Sequence, residues 1–387
     1  MRSMSEVGDG AMACALVAVL AGCGLGPRPT CHAPDVALRE EPLKAVARAR
    51  GLTFGSQFDP RHLAADASYE ALLLREVDLV IPGNDFKMRH VHPGESSYDF
   101  SSTDAILDYA DAHGLEVHGH TLVWGKSSSL PGWVRDRSWT RGELIAMLED
   151  HVRTVVGRYR GRVAAWDVVN EAFCDPAVER ACVVVPGESG GMDGSLWHTV
   201  IGPDFIEIAL RAAREADPDA KIYVNDNGYE LHDSPKAQKL YAYVEDLVER
   251  GVPLDGVGIQ MHWGLDDVDT SAFDAAFFEE GKRSMATLFQ RLNDLGLDVR
   301  ITELDFRIPE AGFDSEEVLA LQADAFALAA SVCLEAESCP SLNLWGLTDK
   351  YSWIPEARPG YGCATLFDAD LRPKPAYAAL WDALSGE

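Results

Sequence analysis

From residue 43 to the end of the chain, short apolar runs alternate with longer stretches whose apolar residues recur every three or four positions. The short runs, "VAAWDVV", "KIYV" and "GVGIQ" among them, are apolar almost without interruption. Both faces of such a strand must be covered, as in a parallel sheet flanked by helices. The longer stretches are helices with readable ends. Thr140 and Glu143 form a capping box, after which Leu144, Leu148, Val152, Val155 and Tyr159 share one face. Ser234-Pro235 opens another helix, Leu240, Tyr243, Val244 and Leu247 make its apolar stripe, and Gly251 closes it.

The predicted strands end at Ser56, Pro82, Thr121, Asn170, Asn225, Gln260, Glu303 and Gly346. Eight such units predict an α/β fold, a single (β/α)8 TIM barrel over residues 43–387. An open doubly wound sheet would need a Gly-rich phosphate loop after its first strand, and "TFGSQFD" is not one. Barrels of this kind carry their functional groups at the C-terminal strand ends. Asn84, His120, Asn170–Glu171, Asn225–Asp226, Gln260–His262, Glu303 and Trp345 all fall there. Polar side chains at seven strand ends make a site.

Composition narrows the partners. With 62 Asp plus Glu against 34 Lys plus Arg, the formal charge is −28, which repels nucleic acid and anionic membranes. A neutral or weakly acidic substrate stays compatible. Residues 11–23, "AMACALVAVLAGC", are too few to span a bilayer and fit the apolar core of a signal peptide. The stretch Leu20-Ala21-Gly22-Cys23 resembles a bacterial lipobox. The expectation is an exported protein, secreted or anchored to the envelope by lipid on Cys23, with a leader over 1–23 and a Pro/Gly-rich linker over 24–42. Beyond Cys14 and Cys23 six cysteines remain. Cys174/Cys182 and Cys333/Cys339 read as loop-closing disulfides, which leaves Cys31 and Cys363 as a candidate third pair. The sequence has no CxxC pairs for zinc, and neither a metal nor an organic cofactor is expected. A monomer is expected.

Two carboxylates set the chemistry. Glu171 ends the fourth predicted strand, in "WDVVNEAF", and Glu303 ends the seventh, in "VRITELDF". Only the fold can bring them together. Glycoside hydrolysis uses two carboxyl groups across the scissile bond, about 5–5.5 Å apart when configuration is retained and about 6.5–9.5 Å when it is inverted. An acid at a buried strand end is costly unless its protonation is shifted. Burial and a nearby Glu303 would both raise the pKa of Glu171, as a proton donor requires. Asn170 beside it is placed to hydrogen-bond a sugar 2-OH.

The motifs "HGHTLVW", "WDVVNEA", "GVGIQMHW", "ITELD" and "WGLTDKYSWI" together resemble family 10 glycoside hydrolases, the endo-β-1,4-xylanases, from about residue 43 to 384. The resemblance implies a retaining enzyme with Glu171 as general acid/base and Glu303 as nucleophile. It makes Asn170, His120, Gln260 and His262 the polar shell of the cleaved sugar, with His262 on the nucleophile. It makes Trp345 and Trp353 aromatic walls of the glycone side, Trp124 the ring beneath, and Asn84 and Lys87 contacts of the second glycone sugar. A bridge like Cys333/Cys339 also occurs in the family. Asp305 reads as support for the nucleophile rather than a third acid.

The departures from the family fall on the glycone side. Many members read "ENEMKW" where this chain has "GNDFKM" (83–88), so Gly83 replaces a Glu and Met88 a Trp. His118 stands in place of an Arg. "WGKSSSLPGW" (124–133) is two residues longer than the usual segment and has Gly125 in place of a His, while "NDNGYE" replaces "NDYN". These changes leave open the same chemistry on another β-1,4-glycan or on short oligosaccharides. A non-catalytic carbohydrate-binding barrel is the alternative from another class, and it has no use for either carboxylate.

Overall fold

Eight parallel strands close into a barrel. They are β1 (Thr53–Phe58), β2 (Leu79–Pro82), β3 (Glu116–Trp124), β4 (Ala165–Asn170), β5 (Lys221–Asp226), β6 (Gly256–Ile259), β7 (Asp298–Pro309) and β8 (Ser341–Leu344). Each pairs with its neighbours in chain order, and β8 returns to β1 through Phe54↔Leu342 to complete the ring. In this computed structural model the described residues are 31, 34, 36–173, 195–266, 268, 270, 271 and 273–386. The predicted leader, Cys23 and the Cys174/Cys182 pair lie outside them.

The expected (β/α)8 barrel is the observed fold. β4 and β6 are buried along their whole length, as their unbroken apolar runs require. The capping box forms at Thr140 and Glu143 and starts the helix Arg141–Arg158. Ser234 caps Pro235–Glu249 through a bond from the Ala237 amide. These caps satisfy amide donors that a helix start leaves free.

Most strand ends fall within two residues of those expected, and three boundaries differ by more. β3 runs on to Trp124 and β7 to Pro309, beyond Thr121 and Glu303. The extension of β7 is held by two short strands, His262–Gly264 alongside and Tyr361–Gly362 antiparallel. The third concerns the linker, because Cys31 and Val36 within it already pack against the hydrophobic core. Cys31 is buried and bridged to Cys363, and Trp381 Nε1 donates to the Glu41 carbonyl at 2.9 Å. The Cys333–Cys339 disulfide also forms, with its Cα atoms 5.3 Å apart.

Candidate active site

The polar strand ends converge at one mouth of the barrel. Two register shifts make this possible, one between His120 and Val123 on β3 and one between Asp167 and Val169 on β4. Strand side chains alternate between faces, so an odd spacing cannot place two residues on the same face of a regular strand. The irregularity lets both Asp167 and Asn170 join the interior network. Asp167 is buried between two imidazoles, with His118 Nε2 at 2.9 Å and His120 Nδ1 at 2.8 Å. Burial works to raise its pKa, but the two histidines outweigh it and hold the carboxyl far below the usual range. Gly119 runs between them, because a Cβ there would meet Trp166 Cε3 at 2.2 Å.

Glu171 follows directly on Asn170, and adjacent residues of a strand should face opposite ways. They do not, because Glu171 has φ 53°. This left-handed conformation is rare for a residue with a side chain and is held by the surrounding structure. Its amide donates to the Asn225 carbonyl at 2.8 Å. Gln260 Nε2 then reaches Glu171 Oε1 at 3.2 Å and Asn170 Oδ1 at 3.3 Å, so both neighbours face the same cleft. Trp124 Nε1 donates to Glu171 Oε2 at 3.0 Å.

Glu303, from the middle of β7, is buried with a donor on each oxygen. Asn225 Nδ2 donates to Oε1 at 2.7 Å and His262 Nε2 lies 3.0 Å from Oε2. The other ring nitrogen of His262 is 3.0 Å from Asp305 Oδ1, and Trp353 Nε1 donates to Asp305 Oδ2 at 2.8 Å. Burial disfavours a charged His262, but the flanking Asp305 and Glu303 outweigh it and push the imidazole pKa up to about 10. Glu171 is raised above the ordinary glutamate value, first by burial, then by Asp226 and then by Glu303. The sequence reading weighed only burial and Glu303; Asp226 is the larger of the two negative neighbours.

An unbroken run of hydrogen bonds links the two acids: Glu171, Gln260, Asn170, Asn225, Glu303. The Asn170 Nδ2 donor is buried and has no hydrogen-bond partner among the described residues. A carboxyl favoured in its neutral form thus stands beside one gripped by an imidazolium, the asymmetry that acid-assisted glycoside cleavage needs.

Aromatic rings line the rim. Trp345 lies edge-on to His120 at 5.1 Å between centroids, and Trp353 is tilted against His262 at 5.1 Å. Lys87 Nζ sits 5.1 Å from the Trp124 ring and donates to Asn84 Oδ1 at 2.8 Å. All the sequence-predicted site residues therefore fall around this cleft. Asn225 and Asp226 were noted only as strand-end residues, yet Asn225 bonds Glu303 directly; Lys236 ion-pairs with the buried Asp226 at 2.8 Å. Gln57 was not foreseen either. Its amide lies where Gly83 leaves room, since a Cβ at Gly83 would meet Gln57 Nε2 at 2.5 Å.

Ligand atoms of His120, Asp167 and Glu303 come within 4.8 Å of one another, the spacing of a metal site. Each already has a protein partner: Asp167 for His120, the two histidines for Asp167, and Asn225 and His262 for Glu303. The grouping of Cys31, Asp349 and Cys363 has its two sulfurs joined in the disulfide.

Comparison with known proteins points the same way. Residues 42–383 match the profile described as "Glycosyl hydrolase family 10". The chain is 38% identical over 312 residues to "Endo-1,4-beta-xylanase B" of Thermotoga neapolitana, covering 81% of this chain and 82% of that protein. It is 35% identical over 348 residues to "Endo-1,4-beta-xylanase 5" of Pyricularia oryzae, covering 89% and 79%. Among solved structures, xylanase 10B from Thermotoga petrophila in complex with xylobiose aligns with a TM-score of 0.80 at 34% identity, covering 91% of this chain and 99% of that one. From its profile, its relatives and its fold, this chain belongs to glycosyl hydrolase family 10.

Proposed function

We propose that this chain is a retaining endo-1,4-β-xylanase, with Glu171 as general acid/base and Glu303 as nucleophile. One observation carries the reading: the hydrogen-bonded run from Glu171 through Gln260, Asn170 and Asn225 to Glu303, which ties the carboxyl of Glu171, raised by its burial, and the carboxylate held by Asn225 and His262 into one cleft. In the first step a Glu303 oxygen attacks the anomeric carbon. The bond to the leaving sugar breaks, and the departing oxygen takes the proton of Glu171. In the second step Glu171 accepts a proton from water, the water oxygen attacks the same carbon, and Glu303 leaves with its electron pair. Asn170, whose buried Nδ2 is unpartnered among the described residues, is suited to the sugar 2-OH. His120, Gln260 and His262 would serve the polar side of the cleaved sugar. Trp124, Trp345 and Trp353 would pack on pyranose faces, and Asn84 and Lys87 would meet hydroxyls further along.

Glu303→Gln tests the roles. It should abolish cleavage while thermal unfolding and xylo-oligosaccharide binding stay close to wild type; near-normal turnover would remove Glu303 as nucleophile. Proton NMR of the first product should show the β-anomer, and an initial α-anomer would replace retention by inversion. A product profile on xylan, xylo-oligosaccharides and soluble cellulose tests the backbone preference; faster cleavage of cellulose would overturn the xylan reading.

Export, whether as a secreted chain or one anchored by lipid on Cys23, belongs to the same proposal, supported by the lipobox-like "LAGC" and the apolar run before it, and action as a monomer is proposed with it. Labelled palmitate should enter the full chain in a bacterial host and be lost from Cys23→Ser. Equal labelling of the two would remove the anchor. Sedimentation of the exported protein at the mass of a dimer would remove the monomer.

A further inference from the structure

The chain is strongly acidic, yet one lip of the cleft is basic. Lys87 and Lys126 both approach the Trp124 ring, at 5.1 and 4.9 Å from its centroid. Arg89 stands on the same lip and donates from Nη1 to the Ser128 carbonyl at 2.9 Å, which pins the loop that carries Lys126. The three cations are close enough to act on one another. Lys87 is pushed down to about 8, first by burial, with Lys126 and Arg89 adding to the effect.

Lys126 differs from the other two in having nothing to hold. Lys87 bonds Asn84 and Arg89 bonds the loop, whereas the Lys126 side chain is exposed and its ammonium makes no hydrogen bond or ion pair among the described residues. In a chain with 62 Asp plus Glu against 34 Lys plus Arg, an exposed ammonium beside the cleft has carboxylates in abundance to pair with. It instead rests over the indole that donates to Glu171. Its position comes from the "WGKSSSLPGW" segment, where the flexible Gly125 and the Ser127–Ser129 turn project it over the ring. An unpaired cation on an aromatic platform, next to a site for a neutral sugar chain, is placed to meet an anionic branch on that chain.

We propose that Lys126, supported by Lys87 and Arg89, receives the carboxylate of an acidic side group on the polysaccharide, a uronic acid branch, when the sugar bearing it lies beside Trp124. The proposal rests on the glycan-hydrolase reading of the cleft and adds a preference among its substrates. Local attraction would offset the repulsion that the net charge imposes on an acidic polymer.

The test compares one polymer in two charge states: glucuronoxylan, and the same sample after its carboxyls are reduced to alcohols. The quantity read is the ratio of kcat/KM on the acidic form to that on the reduced form. In Lys126→Gln this ratio should fall about two- to five-fold, the range an exposed ion pair supports. Lys126→Arg should keep it, and Lys126→Glu should lower it further. An unchanged ratio across the three variants would overturn the proposal, even if overall rates fall, because Lys126 would then act on Glu171 alone. Failure of the wild-type chain to cleave either polymer would instead overturn the hydrolase reading itself.

Discussion

Asn225 orients Glu303 through one amide. Its Nδ2 donates to Glu303 Oε1 at 2.7 Å and to Asn170 Oδ1 at 2.9 Å, while its Oδ1 accepts from Thr302 Oγ1 at 2.7 Å. The Thr302 donor decides which way the amide faces, so β7 and β5 fix each other's functional groups. Asn225→Ala leaves the Glu303 oxygen and the Thr302 hydroxyl unpaired. A hydrogen bond to a charged group contributes about 1.5–3 kcal/mol, so kcat/KM should drop about ten- to a hundred-fold on an aryl xyloside. Asn225→Asp should be worse, since it sets a second carboxylate against the first. A fall of less than two-fold in a folded Asn225→Ala variant would separate Asn225 from the chemistry.

The alkaline limb of the pH–rate profile should belong to Glu171. Its carboxyl is raised by burial, Asp226 and Glu303, in that order. A proton donor with a raised pKa stays competent to higher pH and fails as pH climbs through that value. Asp226→Asn removes the larger of its negative neighbours and leaves Lys236 without its counter-ion. Losing that negative charge favours the ionised form of Glu171. The limb of kcat/KM should therefore move to lower pH; a limb that stays in place would show that Asp226 does not tune this acid.

Much of the site was legible because barrel geometry converts strand ends into a cleft. Once the apolar runs are counted as eight strands, the polar residues after them have only one place to meet. What could not be read is how neighbours in sequence share a face. Alternation predicts opposite directions for Asn170 and Glu171, and only the left-handed backbone at Glu171 overrides it. The Asp167–Val169 irregularity is invisible for the same reason, being a property of strand pairing rather than of side chains. Gln57 was missed because its relation to Gly83 crosses from β1 to the end of β2, and neither residue announces the other. The segment 24–42 reads as linker because Pro and Gly suggest one, while the burial of Cys31 within it depends on a partner 332 residues away.

Gly119→Ala should be destabilising out of proportion to its size. The added methyl would stand 2.2 Å from Trp166 Cε3 and 2.3 Å from Cζ3, and Trp166 is fully buried. A large ring in a packed interior cannot step aside without moving its own neighbours. Overpacking of this kind costs about 1–3 kcal/mol, and the flanking His118 and His120 should lose their fit to Asp167. Denaturant unfolding should show the midpoint falling at an unchanged slope. A midpoint equal to wild type would mean that Trp166 has room the structure denies it.

His262 should make stability fall across the mildly alkaline range. Its imidazole lies between Glu303 Oε2 and Asp305 Oδ1, each 3.0 Å away, and this pushes its pKa from an ordinary 6.5 up to about 10. The folded chain therefore holds a proton that the unfolded chain gives up above about pH 6.5. The resulting stabilisation is fully present below that pH, and it is lost as pH rises through about 10. His262→Gln keeps a donor for Glu303 but cannot titrate. Between pH 6.5 and 10 the wild-type unfolding midpoint should decline more steeply than that of the variant, so the gap between them narrows. Parallel declines would show that His262 is neutral in the folded state, and Glu303 would then be held by an uncharged donor.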